Sequence, residues 1–423
     1  MPTLLLTALL GLFPFLFLFP DVLSVGGTFI RGDYLLLPFG ALLLLHRLAF
    51  TERTLPFAGY SGGALAIMIG FPLLTLFQFL WIPEHIIDME GAVKYALWPL
   101  KMVVWAVCMR ELFVAHPNPL KAVYQVFATL VVLVFSLQVV ELVSVPARLQ
   151  MLEWYPIAAV DRVGQIMFRA RAVFNGFDTA SMFYLLATVL LTQLKTRLPV
   201  NKLAHAGLIM LCVLGALVSA RTGALLIIGY LLAVLWNRGA PVRKLALAAS
   251  VTWVVACVGL LGLGSVSGSE GSLLGRYLEL MNVVSSGGDM LAVNSFWGTF
   301  EMNATALSDT AFNFWFGIGL NTSTTADQLY AKYLVMFGIV GLSLWLLVHL
   351  AMLAGLKAGG RSLNRDCLKW ACLVYALLVA IAHIKGGNYF FAQRLGELTA
   401  LAFMLAYSSD SFFGDAHAEH SIS

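Results

Sequence analysis

At 423 residues the chain could hold two or three soluble domains, yet 60% of it is hydrophobic and only 11% is charged, against about 25% charged and 45–50% apolar residues in an ordinary soluble domain. Apolar runs this long cannot all be hidden in one water-surrounded core, so a cytosolic globular enzyme, a disordered chain and a small disulfide scaffold are excluded. The net charge of +4 is small and much of it lies at the edges of apolar runs, which gives no basis for a nucleic-acid partner.

In chain order, Pro2 to Pro20 reads as a retained first span, because it lacks the basic leader and small-residue cleavage site of a signal peptide. Splitting the remainder at its polar breaks gives apolar segments near 33–46, 57–82, 91–110, 122–144, 177–194, 203–219, 222–236, 245–264, 328–356, 369–384 and 388–407. A crossing needs roughly 20 apolar residues. Lipid supplies no hydrogen bonds, so each peptide group must be bonded within its own segment. The pattern predicts an all-α polytopic membrane protein, a single integral membrane domain of about twelve helices. Cys108, Cys212, Cys257, Cys367 and Cys372 show neither a CxxC pair nor a His spacing suited to zinc, and read as packing residues.

Loop charge orients the bundle. Alternate connections carry Arg47 and Arg53; Arg110 and Lys121; Lys195, Arg197 and Lys202; Arg238, Arg243 and Lys244; and Lys357, Arg361, Arg365 and Lys369. The positive-inside rule puts these on the cytoplasmic side, with both termini. The opposite side then receives two long connections, 145–176 and 265–327, too rich in aromatic and hydrogen-bonding residues to be plain linkers.

A set of cations remains on or just below that outer side: Arg148, Arg162, Arg169, Arg171, Arg221, Arg276, Lys332, Lys385 and Arg394. Positive-inside selection works against them. A guanidinium offers a rigid fork of donors matched to phosphate oxygens and stays charged when partly desolvated, so an anionic ligand at the outer face is one reading. Pairing with the outer acids Glu153, Asp161, Glu279 and Asp309 is the other.

Several of these residues sit in distinctive local patterns. Arg169 and Arg171 open RARAVFNGFDTAS, where Asn175-Gly176 suits a turn and Asp178 with Thr179 could cap the helix that follows. Arg221 lies in SARTG, the one place where a long apolar run can reverse, at a depth where a lone charge is costly unless it binds a ligand or snorkels. Lys101 is another cation at membrane depth, for which snorkelling also serves. In the second long connection Arg276 and Glu279 share a helix face. Trp297, Phe300, Phe312, Phe314 and Trp315 suit either the bilayer interface or sugar stacking. Gly317 and Gly319 permit close backbone approach, and Asp327 is placed either to cap the next helix or to face the site. Near the end, His383 and Lys385 belong to a short outer turn, and Arg394 and Glu397 stand at the i,i+3 spacing of a structural pair.

With these residues assembled, the chain resembles the O-antigen polymerase and ligase family of bacterial inner membranes, particularly its Wzy-type polymerases. The resemblance is one of layout over nearly the whole chain. It includes the Arg-rich stretch leading into RARAVFNGFDTAS, the SARTG hairpin, an Arg in the large outer loop, and FGIGLN followed by DQLYAKYLVMFGIVGL. It implies a GT-C-like helical bundle and a metal-independent, inverting glycosyl transfer between undecaprenyl pyrophosphate-linked oligosaccharides on the periplasmic side, building O-antigen or exopolysaccharide. No cofactor is implied, because pyrophosphate is the leaving group. A chain-length regulator is a candidate partner. By the same resemblance Arg169 or Arg171, Arg221 and Arg276 hold the pyrophosphate, with Arg394 and Lys385 as further candidates. This sequence departs from the family in having Asp327, and no His, near the start of the helix after the large loop. The group that takes the acceptor proton is therefore sought among Asp327, Glu301 and His383, with Asp178 a further acid on that side. An O-antigen ligase of the same family is the near alternative. A flippase or anion carrier is the more distant one, and is expected to carry midplane charge on discontinuous helices with short loops.

The loop charges make one direct prediction: a label at Met290 is reachable from the periplasm and a label at Ala240 only from the cytoplasm, as impermeant-reagent labelling of intact cells will show.

Overall fold

The computed structural model describes residues 3–20, 23–25, 28–50, 70, 73–74, 76–78, 89–155, 169–174, 176–236, 315–317, 329–357, 366–383 and 394–408. Among them are eleven α-helices: α1 (Thr3–Leu18), α2 (Leu37–Phe50), α3 (Met89–Val114), α4 (Pro119–Val143), α5 (Val145–Trp154), α6 (Phe177–Lys195), α7 (Lys202–Ser219), α8 (Arg221–Trp236), α9 (Leu329–Lys357), α10 (Cys367–Ala382) and α11 (Leu395–Tyr407). A 3-10 helix, Gly32–Leu36, leads into α2. Five segments are long and apolar enough to cross a membrane: Gly32–Phe50, Pro119–Val143, Phe177–Lys195, Lys202–Ser219 and Met336–Lys357. The candidate span at 245–264, most of that at 57–82, and all but residues 315–317 of the 265–327 connection lie outside the described residues.

Two features add to the helical layout. After α1 the chain forms a small antiparallel ribbon, β1 (Leu23–Val25) with β2 (Thr28–Ile30), Leu23 facing Ile30. The first long connection is not all loop, because its first ten residues form α5. Ser144 ends α4 and caps α5 by accepting the Ala147 amide at 3.3 Å, and Pro146 occupies the first turn, where no backbone donor is needed.

The bundle is organised around α6. It packs against α4, α7, α8, α10 and α11, and nearly all of its side chains are buried. Close approach of two of its neighbours requires residues without a side chain. A Cβ on Gly215 of α7 would strike the Tyr184 ring, and one on Gly223 of α8 would lie 2.5 Å from Ser181 Cβ. The α9 helix is broken at Gly338, whose φ of +62° is disfavoured for L-residues. The groups released by the break are re-bonded: the Val340 amide donates to the Trp315 carbonyl at 3.2 Å, and Gln78 Nε2 donates to the Met336 carbonyl at 2.8 Å. Gly317 backs directly onto this break, the close approach its sequence position allows.

Polar groups collect at the two ends of the bundle. At one end Arg110 of α3 bonds Ser408 after α11 and Glu111, which also meets Arg47 of α2 at 3.4 Å. Asp366 caps α10 by accepting the Leu368 and Lys369 amides. At the other end lie the last turns of α1, α4 and α7 and the first turns of α6, α8 and α11. Cys108, Cys212, Cys367 and Cys372 are buried free thiols, and Cys257 lies outside the described residues.

The α6–α8 contact is a stability test. Gly223→Val forces a side chain onto Ser181 and costs about 1–3 kcal/mol, the range for overpacking. Gly229→Ala on the same helix, where nothing lies within 4 Å, holds or raises the melting temperature by removing backbone entropy. Thermal melting of both variants in detergent reads the difference.

Candidate functional site: a buried arginine and carboxylate layer

The end opposite Arg110 is built on residues 169–174, which run inward between α4, α5, α6 and α7. Gln138 of α4 donates to the Ala170 carbonyl at 3.1 Å and to Ser219 Oγ at 2.7 Å, and accepts from Tyr184 Oη at 2.7 Å. One turn later, Glu141 Oε2 accepts the amides of Arg171 and Ala172, both at 2.9 Å. Two consecutive amides can aim at one oxygen because Ala172 takes a left-handed φ of +51°.

The arginines of this segment do different work. Arg171 is buried, and its guanidinium donates to the carbonyls of Phe174 (2.8 Å), Tyr155 (2.7 Å) and Met151 (3.5 Å), the last two at the end of α5. It supplies the donors that the terminal turn of α5 lacks. Arg148 on α5 donates to the Arg169 carbonyl at 2.7 Å. Burial pushes the pKa of both Arg148 and Arg171 down, and the Glu141 carboxylate pushes it back up. Arg169 is only half-buried and lies 5.6 Å above the Phe177 ring, over the start of α6.

Arg221 is the first residue of α8, separated from α7 by Ala220 alone, as the tight reversal at SARTG demands. Its side chain lies outside the described residues, but Gly223 two positions on touches Ser181, so the first turns of α6 and α8 meet. Residue 170 is tied to α7 by its amide, which donates to the Val218 carbonyl at 3.4 Å. Gly176 is the N-cap of α6 and has no side chain to offer. The expected Asp178 cap is therefore displaced: Asp178 lies in the first turn, and its carbonyl accepts from Ser181 Oγ at 2.7 Å. Arg169 and the first residues of α6 and α8 thus lie near one another, and helix N-termini favour an anion.

A second cluster lies beside the first. Arg31 is clamped by Asp33, at 3.0 Å from Nε and 2.6 Å from Nη2, and its remaining nitrogen bonds Glu397 Oε2. Trp105 Nε1 donates to Asp33 at 2.7 Å. Glu397 Oε2 also accepts the Arg394 amide at 3.0 Å. Arg394 and Glu397 are thereby joined as a capping pair at the start of α11. Arg394, at a left-handed φ of +65°, turns its guanidinium to the carbonyls of Phe17 and Phe19 at the end of α1. It lies 5.7 Å over the Phe17 ring and 5.1 Å over that of Tyr155. Tyr155 therefore joins the clusters, its ring under Arg394 and its carbonyl on Arg171. Lys101 sits 5.1 Å over the Tyr34 ring, a cation–π placement for this cation.

The 13 residues of α11 and 16 residues of α1 and of α10 rise only about 20–24 Å at roughly 1.5 Å per residue, short of the ~30 Å hydrocarbon thickness.

His383 follows α10 and is buried elsewhere. With His349, Trp345 and Phe403 it lines a largely apolar cavity of about 110 Å³ between α9, α10 and α11, its ring 6.0 Å from His349 and 5.3 Å from Trp345. Arg276, Glu301, Asp327 and Lys385 lie outside the described residues. Sequence reasoning missed Arg31, Asp33 and Glu141 as members of this layer. The available signal was a charged Arg-Gly-Asp directly before an apolar segment, and an acid in the last turn of an otherwise apolar helix. Comparison of the chain with protein-family models and with curated proteins gives no match.

The two arginines of the first long connection separate by measurement. Arg171→Met strands three buried carbonyls and lowers the melting temperature, at about 1–3 kcal/mol for each acceptor left bare. Arg169→Met, on a half-exposed position, stays within about 0.5 kcal/mol, again read by melting in detergent.

Proposed function

We propose that the chain is a polysaccharide polymerase of the bacterial inner membrane, multi-pass with about twelve spans and both termini cytoplasmic. It joins undecaprenyl pyrophosphate-linked oligosaccharide repeats on the periplasmic side by metal-independent inverting glycosyl transfer. The observation that carries this reading is the meeting of Arg169 with the first turns of α6 and α8, the latter opened by Arg221, at the bundle end that loop charge assigns to the periplasm. In an inverting transfer the anomeric C–O bond breaks and its electron pair leaves on the pyrophosphate. Guanidinium groups and helix-terminal amides fixed around that oxygen stabilise the transition state without reorganising. A point ammonium cannot reproduce the fork of a guanidinium.

A carrier or flippase is less well supported. Among the described residues the helix break that invites it, at Gly338, is filled by the Trp315 carbonyl and Gln78, not by a charged residue facing a path.

Deleting the gene is expected to abolish polymerised surface polysaccharide while single lipid-linked repeats persist on the periplasmic side. Accumulation of repeats on the cytoplasmic side identifies a flippase, and full-length polymer left on undecaprenyl pyrophosphate identifies a ligase. In the polymerase, Arg221→Lys loses at least about tenfold in rate, the equivalent of roughly 1.4 kcal/mol of transition-state stabilisation, while the protein still accumulates; in vitro polymerisation with purified lipid-linked repeats measures it.

A further inference from the structure

The cavity between α9, α10 and α11 takes no part in the transfer proposed above. One of its walls belongs to Met336–Lys357, a segment long and apolar enough to cross a membrane. Its volume of about 110 Å³ is of the order of the ~150 Å³ apolar cavity that takes a benzene ring. One side is open: Leu346 and Leu377 line it and are 43% and 55% exposed, on helix faces that meet lipid when the segments span. The fully buried His383 closes the other side. Entry is therefore from the hydrocarbon of the bilayer.

Two imidazoles in such a place need a reason, because ionisable side chains at membrane depth are rare and mark a site by default. The two rings stand 6.0 Å apart at 90°, and Trp345 lies 3.9 Å from His349 and 5.3 Å from His383. His349 Nδ1 is 2.8 Å from the Trp345 carbonyl. That oxygen can only accept, so Nδ1 carries the proton and Nε2 is an acceptor. A hydrocarbon chain alone offers such a nitrogen nothing. A metal ion is disfavoured, since among the described residues no three His, Cys, Asp or Glu side chains come together. A flat apolar ring carrying an O–H matches both features: the ring packs offset or edge-to-face against Trp345 and Phe403, and the hydroxyl donates to Nε2.

We infer that this cavity binds the hydroxylated aromatic ring of a membrane-soluble phenol, the class that includes quinols, with the tail of the molecule left in lipid past Leu346 and Leu377. His349 selects the hydroxyl through Nε2, and Trp345, Phe403 and His383 shape the slot around the ring. The site stands apart from Arg169 and Arg221 and does not depend on the polymerase reading.

The experiment uses the full-length protein in lipid nanodiscs and a 4-alkylphenol carrying a photoreactive diazirine in its tail. The competitors are 4-nonylphenol and nonylbenzene, which share a tail and differ by the hydroxyl. The expected result is saturable labelling of α9 and α10 peptides around Leu346 and Leu377, displaced by 4-nonylphenol at concentrations at least about tenfold below those of nonylbenzene, the order of one hydrogen bond. His349→Phe keeps a ring and removes the acceptor, so the preference for the phenol is lost. Ala380 lines the open side and is exposed; Ala380→Phe fills the slot and abolishes the labelling, and it decides the matter if His349→Phe fails to accumulate. Equal displacement by the two competitors in the wild type overturns the inference and makes the cavity a plain slot for lipid. Labelling that Ala380→Phe leaves unchanged overturns it as well, and so does a tenfold preference that survives in His349→Phe.

Discussion

The carboxylate of Glu141, set against the amides of Arg171 and Ala172, holds the rest of the arginine layer in place. Charge-assisted bonds of this kind contribute about 1.5–3 kcal/mol each, and here they draw an irregular stretch of chain into the interior. Buried irregular backbone is tolerated only where protein satisfies its polar groups. Glu141, Gln138 and Arg148 do so for residues 169–171. With that stretch fixed, Arg171 can close the end of α5, the Tyr155 carbonyl is held, and Arg169 is left at the edge over α6.

The same constraint explains why the second cluster contains equal numbers of opposite charges. Arg31 and Arg394 stand with Asp33 and Glu397 where water is scarce. Isolated buried charges cost several kcal/mol each, and only close pairing with further hydrogen bonds offsets this. Helix α1 ends and α11 begins in this layer, and the carbonyls exposed by the end of α1 are the ones Arg394 takes. A short helix, a buried arginine and a left-handed residue are therefore one device.

Much of the helical layout was legible because it depends on local composition. The run from Pro119 to Val143 cannot be soluble in water and cannot be unbonded in lipid, so it is a helix whatever surrounds it. The reversal at Ala220 follows from the same reasoning, since no other polar break divides that apolar run. The site was legible only as a list of cations. Arg169 and Arg171 are two residues apart and alike in sequence, yet one is half-buried over a ring and the other is spent on three carbonyls. The Arg394–Glu397 spacing suggested a local pair, and Glu397 does accept the Arg394 amide, but its partner Arg31, 366 residues away, could not be read from that spacing. The break at Gly338 was likewise unreadable, because its compensating donor and acceptor come from Gln78 and Trp315.

By itself, then, the sequence determined that the chain is helical and apolar and where most of the described helices begin and end, because hydrophobic length acts within a segment. Only the tertiary structure decided which buried charges neutralise one another, which arginines serve the backbone, and which imidazoles share a cavity. Each of those depends on partners distant in the chain, and a hydrogen bond is satisfied by position in space, which no local pattern of residue types encodes.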